Sequence, residues 1–273
     1  GMDFILFRTE TAAAIAASVM GEMTGTPGVV LTGIGPGAAS VTNGVAYASL
    51  ERSALIVITD AREPGAGNNS HQVFDQGAMF APLTKASCQL NPLKGIANFR
   101  HLCDLAEAYP PGPVHFDLSA QTAAKPIGQK RARKQVKQKD EPSSIDNTAS
   151  ILCRAQRPVI VVGLEARDDI AAKNLRGLAE KFQTPVLATY KASGVIPWDH
   201  PLFVGPFTGA TAEASTLDQA DVILFAGVDT IEIIPSSWHY TGKIIALNRT
   251  KGRHMPVEPS ATVWGLSQKH ARN

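Results

Sequence analysis

The amino-acid sequence predicts an α/β protein with two doubly wound, mainly parallel sheets, each in a three-layer α/β/α arrangement. Apolar runs rich in Val, Ile and Leu alternate with helix-like segments along most of the 273 residues. These runs are continuously apolar rather than alternating with polar residues, which indicates strands buried on both faces. A polar, basic stretch near the middle separates two such series, so we predict one sheet in each half.

The first half contains four apolar runs that are predicted strands, at 4–7, 28–34, 54–60 and 113–118. Predicted helices lie between them, at 9–23, 36–50 and about 98–107. The first helix is rich in alanine, the residue with the highest helix propensity. Because helical segments separate the strands, right-handed crossovers should place the strands side by side in one parallel sheet.

The second half repeats this order of elements. Its predicted strands are the apolar runs at 158–163, 185–189, 220–228 and 243–248. Predicted helices cover 146–154 and 168–182, and helix-like residues continue to about Gln219. We therefore predict a second α/β domain with a dinucleotide-fold-like sheet.

The segment between the halves is strongly basic. Seven Lys and Arg residues and no acidic residue lie between Lys125 and Lys139, although the whole chain has a net charge of only +2. So polar a segment cannot bury an apolar face and is typical of a linker. A nucleic-acid-binding arm is the alternative, but no aromatic residue is interleaved with the charges, so no nucleic-acid partner is expected. We predict domains at 1–122 and 146–273, joined by a basic linker at 123–145.

Other features of the sequence argue against several classes of protein. The three cysteines are scattered and odd in number, which disfavours a disulfide framework or a zinc ribbon and indicates a reducing compartment. No apolar run approaches the roughly 18 residues of a membrane span, and the chain does not open with a signal sequence. We therefore expect a cytoplasmic protein without a membrane partner. The histidines lack metal-ligand spacing, so we predict no metal site in this chain.

Three loops are predicted at the carboxyl ends of strands, where open α/β sheets bind ligands: Arg8–Glu10, Gly33–Ala38 and Asn68–Asp75. The second loop permits a dinucleotide-binding interpretation. Its residues fit the pattern G-x-G-x-x-G/A between a strand and a helix, and Asp60 ends the next strand. Pro36 weakens this interpretation, because it removes a backbone N–H from the turn that would bind a pyrophosphate. An NAD-dependent oxidoreductase is therefore kept as an alternative.

Longer strings of residues resemble thiamine-diphosphate-dependent enzymes of the acetolactate synthase type. The pyrimidine-binding domain of that family has an R-x-E motif, a G-x-PGV…GPGA segment, a Q-x-x-D…P-x-T-K loop and a closing P-G-P-V-x-x-D. Similar segments occur here at 8–10, 25–38, 72–85 and 111–117. Segments at 157–160, 184–186, 194–197, 200–201 and 220–224 resemble the family's central domain. The resemblance covers nearly the whole chain, in order and with similar spacing.

The resemblance implies a catalytic and cofactor-binding role for Glu10. In the family, the glutamate of the R-x-E motif hydrogen-bonds N1′ of the cofactor's aminopyrimidine and favours its imino tautomer. The imino nitrogen removes the thiazolium C2 proton, after which the cofactor attacks a 2-oxo acid and serves as an electron sink. Without the resemblance, Glu10 would be only an acidic residue that favours a helix N-terminus.

The resemblance also implies roles for the other two loops. Gly35, Pro36 and Gly37 would form a cofactor-binding turn whose backbone closely approaches the pyrimidine. Gln72 would lie on the substrate side of the cleft. His71 is a second substrate-side candidate, with a surface loop position as the alternative.

Two departures from the family pattern limit what this chain is expected to do. No G-D-G motif, which binds the diphosphate through Mg²⁺, is present, and the first domain lacks the strand and helix that precede the R-x-E strand. We therefore expect Mg²⁺ to be supplied through a domain not in this chain. The expected assembly is a homodimer or a complex with a partner chain that carries this domain. Gly227-Val228-Asp229 has an acid where FAD-binding members have G-x-R, so we predict that FAD is not bound.

The resulting hypothesis is a thiamine-diphosphate-binding, acetolactate synthase-like protein. It would be an incomplete form or a subunit of an enzyme that decarboxylates or ligates 2-oxo acids. One alternative is a non-catalytic assembly module or relic of the same family, and the second is an NAD-dependent oxidoreductase. The sequence leaves open whether this chain by itself is an enzyme.

Overall fold

The computed structural model describes residues 3–63, 71–90, 95–125, 145–234, 237–249 and 257–264. The chain divides into two compact units, residues 1–134 and 135–273. Each unit contains a parallel sheet with flanking helices, which confirms the predicted fold class. The predicted basic linker falls mainly at 126–144, outside the described residues, so its boundaries stay a prediction.

In the first unit, the described part of the chain forms five helices and four strands. The helices are α1 (Glu10–Thr24), α2 (Pro36–Glu51), α3 (Gln76–Phe80), α4 (Gly95–Glu107) and α5 (Ala120–Ala123). The strands are β1 (Gly28–Thr32), β2 (Leu55–Asp60), β3 (Ser87–Gln89) and β4 (Pro113–Leu118). All pairings are parallel, and the strand order is β1-β2-β4-β3. Among these strands, β1 therefore lies at an edge of the sheet.

Local backbone chemistry determines where α1 begins and ends. The Thr9 side chain accepts a hydrogen bond from the Ala12 N–H at 3.3 Å and so caps the N-terminus. Gly25 ends the helix with a φ of 69°, a left-handed conformation that glycine adopts without strain. Glu10 is thereby fixed as the first residue of α1.

Helix α1 packs closely on α2. Ala14 is fully buried, and a Cβ on Gly44 of α2 would approach the Ala14 Cβ to 2.5 Å. The Thr11 hydroxyl donates a hydrogen bond to the Ser40 carbonyl at 2.6 Å. These contacts hold the N-terminus of α1 beside the beginning of α2.

The predicted strand at 4–7 is wrong. Residues 3–7 form neither helix nor strand, and the four apolar side chains at 4–7 are exposed. A strand needs a hydrogen-bonded neighbour, and no described strand pairs with this segment. Helix α3 and strand β3 were not predicted, because both are too short for hydrophobic periodicity to reveal.

In the second unit, the described residues form a six-stranded parallel sheet with the order β10-β9-β8-β5-β6-β7. The strands are β5 (Pro158–Val162), β6 (Val186–Ala188), β7 (Phe203–Pro206), β8 (Val222–Ala226), β9 (Lys243–Asn248) and β10 (Ala261–Trp264). The helices are α6 (Ile145–Arg154), α7 (Asp169–Phe182) and α8 (Ala214–Leu217). Strands β6 and β7 lie on one side of β5 and strands β8 to β10 on the other, so the strand order reverses between β5 and β8. In an open α/β sheet, this switch point is where a ligand would bind.

The helix-like interpretation of the residues before Gln219 is largely wrong. Residues 190–219 contain a single 3₁₀ turn, the strand β7 and the four-residue helix α8. Prolines interrupt this stretch and lack the N–H that a helix needs, and Gly205 and Gly209 have positive φ angles. Strand β10 was also not predicted. No helix within the described ranges is long and apolar enough to cross a membrane.

Candidate functional site

The turn between β1 and α2 has a backbone that only glycine can supply. Gly35 caps α2 with a φ of 63° and a ψ of −106°, and Pro36 follows as the first helical residue. A Cβ on Gly35 would lie 2.1 Å from the Gln72 carbonyl oxygen. The turn and the loop before α3 are therefore in direct backbone contact, and a side chain at position 35 would separate them.

Glu10 lies against the same turn. A Cβ placed on Gly37 would be 3.5 Å from the Glu10 Oε1, so the carboxyl group faces the open side of this glycine. Glu10 and Gly37 are both half-buried, whereas Pro36 is exposed. The structure thus brings together Glu10 and the predicted turn, which are 25 residues or more apart in the sequence.

The two substrate-side candidates occupy the loop before α3. His71 and Gln72 are exposed, and Gln72 has a φ of 62°. The backbone of Gln72 touches the turn at Gly35. The role of either side chain toward a substrate stays a prediction.

Gln76, which is not among the predicted site residues, connects the turn to the sheet. Its Oε1 accepts a hydrogen bond from the Gly35 N–H at 2.7 Å. Its Nε2 donates to the Asp117 Oδ1 at 2.6 Å and to the Asp60 carbonyl at 3.2 Å. The Gln76 side chain is almost fully buried, at 4% exposure. Because a buried amide is costly unless it is bonded, these contacts fix its position.

A buried polar network continues from Gln76 along β2 and β4. The Thr59 hydroxyl donates to the Asp117 Oδ1 at 2.6 Å, and its oxygen lies 2.8 Å from the His115 Nε2. Since the only hydroxyl hydrogen points at Asp117, we assign the imidazole Nε2 as an N–H donor. The Ser87 hydroxyl of β3 lies 2.8 Å from the other ring nitrogen, Nδ1. Three neighbouring strands are therefore joined through one imidazole.

Asp117 remains ionised at neutral pH in this network. Burial acts to raise the pKa of its carboxyl group, but hydrogen bonds with His115, Thr59 and Gln76 and the electrostatic attraction of His115 outweigh it. The net effect is a lowered pKa. The carboxylate can therefore only accept hydrogen bonds, which constrains every group around it.

The lysine of the P-x-T-K segment has a structural role in the first unit. The Lys85 Nζ donates hydrogen bonds to the carbonyls of Ala108 and Pro110 at 2.6 and 2.8 Å. Burial, with a smaller contribution from the charge of Arg52, lowers its pKa to about 8. Lys85 thus holds the connection between α4 and β4.

The switch point of the second unit is filled by side chains of this chain. The Glu232 carboxylate, 2% exposed, accepts hydrogen bonds from the backbone N–H groups of Leu164 and Asp229 at 2.9 and 3.0 Å. It also accepts one from the Thr189 hydroxyl at 2.5 Å. These three donors follow β5, β8 and β6 respectively, so the loops converge on one carboxylate. Burial, opposed by these hydrogen bonds, raises the pKa of Glu232.

The loops after β5 and β8 also touch each other directly. A Cβ on Gly163 would lie 2.3 Å from the Val228 Cα, and the Glu165 N–H donates to the Gly227 carbonyl at 2.8 Å. Asp229 is fully buried and accepts a hydrogen bond from the Ile231 N–H at 3.2 Å. The acid of the Gly227-Val228-Asp229 segment thus caps a 3₁₀ turn (Thr230–Glu232).

The geometry of the first unit does not favour the dinucleotide interpretation of its glycine loop. The Gly35 N–H, which a pyrophosphate would need, is bonded to Gln76, and Pro36 has no N–H. The Asp60 carboxylate is exposed and accepts a hydrogen bond from the N–H of the next residue, Ala61, at 2.9 Å. No cluster of three or more His, Cys, Asp and Glu side chains suited to a metal ion occurs in the described part of either unit.

Comparison with known families matches both halves of the chain. Residues 1–79 match the N-terminal TPP binding domain of thiamine pyrophosphate enzymes. Residues 145–257 match the central domain of the same enzymes.

Curated relatives are similar over most of this chain. An acetolactate synthase of Bacillus subtilis (strain 168) is 30% identical over 258 residues, which are 89% of this chain and 44% of the relative. A probable acetolactate synthase large subunit of Methanocaldococcus jannaschii is 32% identical over 236 residues, 82% of this chain and 40% of the relative. A 2-hydroxyacyl-CoA lyase of Arabidopsis thaliana is 29% identical over 242 residues, 83% and 41% of the two chains. The chain therefore spans less than half the length of these relatives.

Proposed function

This chain belongs to the family of thiamine pyrophosphate enzymes, and on that basis we propose that it binds the aminopyrimidine half of thiamine diphosphate through Glu10. The observation that carries the proposal is the contact between the Glu10 carboxyl group and the open side of Gly37. Gly35, Pro36 and Gly37 would form the cofactor-binding turn. The missing Cβ at position 37 leaves room beside the carboxyl group, as a flat aromatic ring requires.

The residues of this chain would have simple tasks in the reaction. When bound, thiamine diphosphate supplies the nucleophilic carbon and the electron sink for reaction with a 2-oxo acid. Glu10 would share a proton with N1′ of the aminopyrimidine. Its half-buried position strengthens that hydrogen bond, because fewer water molecules compete for the carboxyl group. Gln72 is proposed to line the substrate side of the cleft, together with His71.

The proposed activity is the decarboxylation or ligation of 2-oxo acids, as a subunit or an incomplete form of an acetolactate synthase-like enzyme. Mg²⁺ would bind the diphosphate through a domain not in this chain. The alternative is a non-catalytic assembly module of the same family. Such a module would retain the fold but would require no cofactor. An NAD-dependent oxidoreductase is the weakest alternative, because the Gly35 N–H is already bonded to Gln76.

Calorimetric titration of thiamine diphosphate with Mg²⁺ into the purified chain tests the role of Glu10. We expect saturable binding by the wild type and binding at least about tenfold weaker by Glu10→Gln. The reason is that a hydrogen bond to a charged group contributes about 1.5–3 kcal/mol. Glu258→Gln, which changes an exposed glutamate of the second unit, should bind as the wild type does.

Equal affinities of the wild type and Glu10→Gln would refute the assignment of Glu10. No saturable heat from the wild type would contradict cofactor binding by this chain alone and would leave it at most a half-site that a partner chain must complete.

We further propose that the second unit does not bind FAD. The support is the Glu232 carboxylate, which already occupies the backbone N–H groups at the switch point, and the buried Asp229 beside it. A flavin diphosphate placed there would meet two carboxylates and would find its donors taken. We also propose a cytoplasmic location, because three scattered cysteines, an odd number, are typical of a protein from a reducing compartment.

We propose that the chain dimerises through its first unit, and the open edge of β1 supports this. Val29 and Leu31 are each 56% exposed although they are apolar. The Gly28 N–H donates to the Ala54 carbonyl, so by alternation the backbone groups of Val29 face away from β2. The β1 strand contains neither a charged residue nor a proline, either of which would protect the edge against pairing with another chain. The proposed occupant is a second copy of this chain.

Replacing Val29 with lysine should therefore convert a dimer into a monomer, since a charged side chain would be buried against the partner. Sedimentation equilibrium measures the mass of each species. Ile170→Lys is the matched control, because Ile170 is 53% exposed on α7 of the second unit. A monomeric wild type, or a Val29→Lys variant that remains dimeric, would contradict the proposed interface.

A further inference from the structure

The structure points to a function for the buried Gln76 network beneath the proposed cofactor-binding turn. We propose that Gln76 is a positioning residue, which sets the place of the Gly35–Gly37 turn against Glu10 from inside the protein. The inference rests on the proposed function of Glu10, but the contacts that carry it lie within the first unit and involve no cofactor.

Asp117 determines the orientation of the Gln76 amide. An ionised Asp117 can only accept hydrogen bonds, so the amide must turn its NH₂ group toward the Asp117 Oδ1, 2.6 Å away. The Asp60 carbonyl, 3.2 Å away, is a second acceptor that demands the same orientation. The Oε1 is then left for the Gly35 N–H at 2.7 Å. Asp117 thus determines which atom of Gln76 the turn meets.

The Asp117 carboxylate, which anchors Gln76, is itself held rigidly. Asp117 is held by the Thr59 hydroxyl at 2.6 Å, and Thr59 in turn contacts the fully buried His115. The His115 ring packs on Phe80 of α3 with a centroid distance of 4.1 Å. Strands β2 and β4 and helix α3 therefore meet at one fixed point, which can hold a turn in place.

Gly35 connects Gln76 to the surface beside Glu10. Gly35 is confined between the Gln76 Oε1 and the Gln72 carbonyl oxygen, so it cannot move toward either without losing a contact. Gly37 is two residues further on and faces the Glu10 carboxyl group. A displacement of Gly35 would therefore also displace Gly37 relative to the Glu10 carboxyl group.

Two substitutions distinguish positioning from mere support of the sheet. Gln76→Met keeps the size of the side chain but provides neither donor nor acceptor. Gln76→Glu can replace the amide only when protonated, because its O–H can then donate to Asp117 while its carbonyl accepts from the Gly35 N–H. Two carboxylates in one site raise the pKa of one of them, so this replacement should work at low pH and fail as the pH rises.

The elements that meet at position 76 carry other titratable groups, which the pH series must take into account. These are His115 and Asp117 on β4, Asp60 at the end of β2 and Asp75 before α3. All four are also present in the wild type and in Gln76→Met. A pH response found in Gln76→Glu alone therefore belongs to the new carboxyl group.

The measurement is amide hydrogen exchange by NMR, with the Glu10 carboxyl signal recorded in parallel. We expect the protection factor of the Gly35 amide to fall at least about tenfold in Gln76→Met, and the Glu10 signal to shift. In Gln76→Glu both should return toward wild-type values as the pH is lowered. Gln121→Met, at an exposed glutamine of α5, should leave both unchanged.

Unchanged Gly35 protection in both Gln76 variants would overturn the proposal. Loss of protection throughout β2 and β4 without recovery of Gln76→Glu at low pH would also overturn it, because Gln76 would then only support the sheet. Neither readout requires thiamine diphosphate. A chain that passes this test but fails the calorimetric test would refute the cofactor proposal alone.

Discussion

Replacing Gly35 with alanine should unfold or severely destabilise the first unit, by about 2–5 kcal/mol. The added Cβ would lie 2.1 Å from the Gln72 carbonyl oxygen, and the φ of 63° with a ψ of −106° is strained for any residue but glycine. All three tryptophans lie in the second unit, at 198, 238 and 264. Thermal unfolding followed by far-UV circular dichroism should therefore show an early transition, while tryptophan fluorescence retains the wild-type midpoint.

Gly33→Ala is the matched control for this substitution. Gly33 precedes the same turn by two residues, and a Cβ there would have no heavy atom within 4 Å. Its transitions should match those of the wild type. If Gly35→Ala were as stable as Gly33→Ala, the close contact between the turn and the loop before α3 would be wrong.

Replacing Glu232 with alanine should destabilise the second unit by about 3–5 kcal/mol. The change leaves the N–H groups of Leu164 and Asp229 and the Thr189 hydroxyl without their acceptor in a buried site. The midpoint of the tryptophan fluorescence transition in urea measures this loss. Millimolar formate should restore part of it, because the small carboxylate can occupy the space that the side chain leaves.

Glu232→Gln is the conservative counterpart, since its amide oxygen can accept from both N–H groups and its NH₂ can donate to Thr189.

Because the folded-state pKa of Glu232 is raised, its contribution to the free energy of unfolding is fully present below the usual value of 4.5. This contribution is lost as the pH rises through the folded-state value. The wild type should therefore lose stability relative to Glu232→Gln over that interval. Equal stability of Glu232→Ala and the wild type would contradict the filled switch point, and so would a shift of the wild-type midpoint by FAD.

The elements that could be predicted from the sequence are those with strong local signals. Helix α1 was predicted within one residue at each end, because its alanine-rich sequence has a high helix propensity. Strand β4 was predicted at its exact bounds, since an apolar run follows two prolines and a glycine. The stretch before Gln219 is not helical despite its helix-like composition, because its prolines lack the N–H that a helix needs.

The candidate site divides in the same way. Glu10 and the Gly35–Gly37 turn could be found because their residues form a recognisable ordered series. Gln76 could not, because a glutamine beside Asp75 in a polar loop is typical of an exposed position, whereas its side chain is 4% exposed. Its burial depends on Asp117, which is 41 residues away. The polar residues that end β2 and β4 were the available signal, since Thr59 and Asp117 face each other across two paired strands.

The carboxylate at the switch point of the second unit also affects how the protein responds to its surroundings. Loops held together by a bound ligand gain stability in proportion to RT ln(1 + [L]/Kd), so their folding depends on how much ligand the cell contains. Glu232 is attached to the chain that it stabilises and is present at a constant one-to-one ratio. On the proposal that no flavin binds at this switch point, the stability of the second unit should not depend on the concentration of FAD.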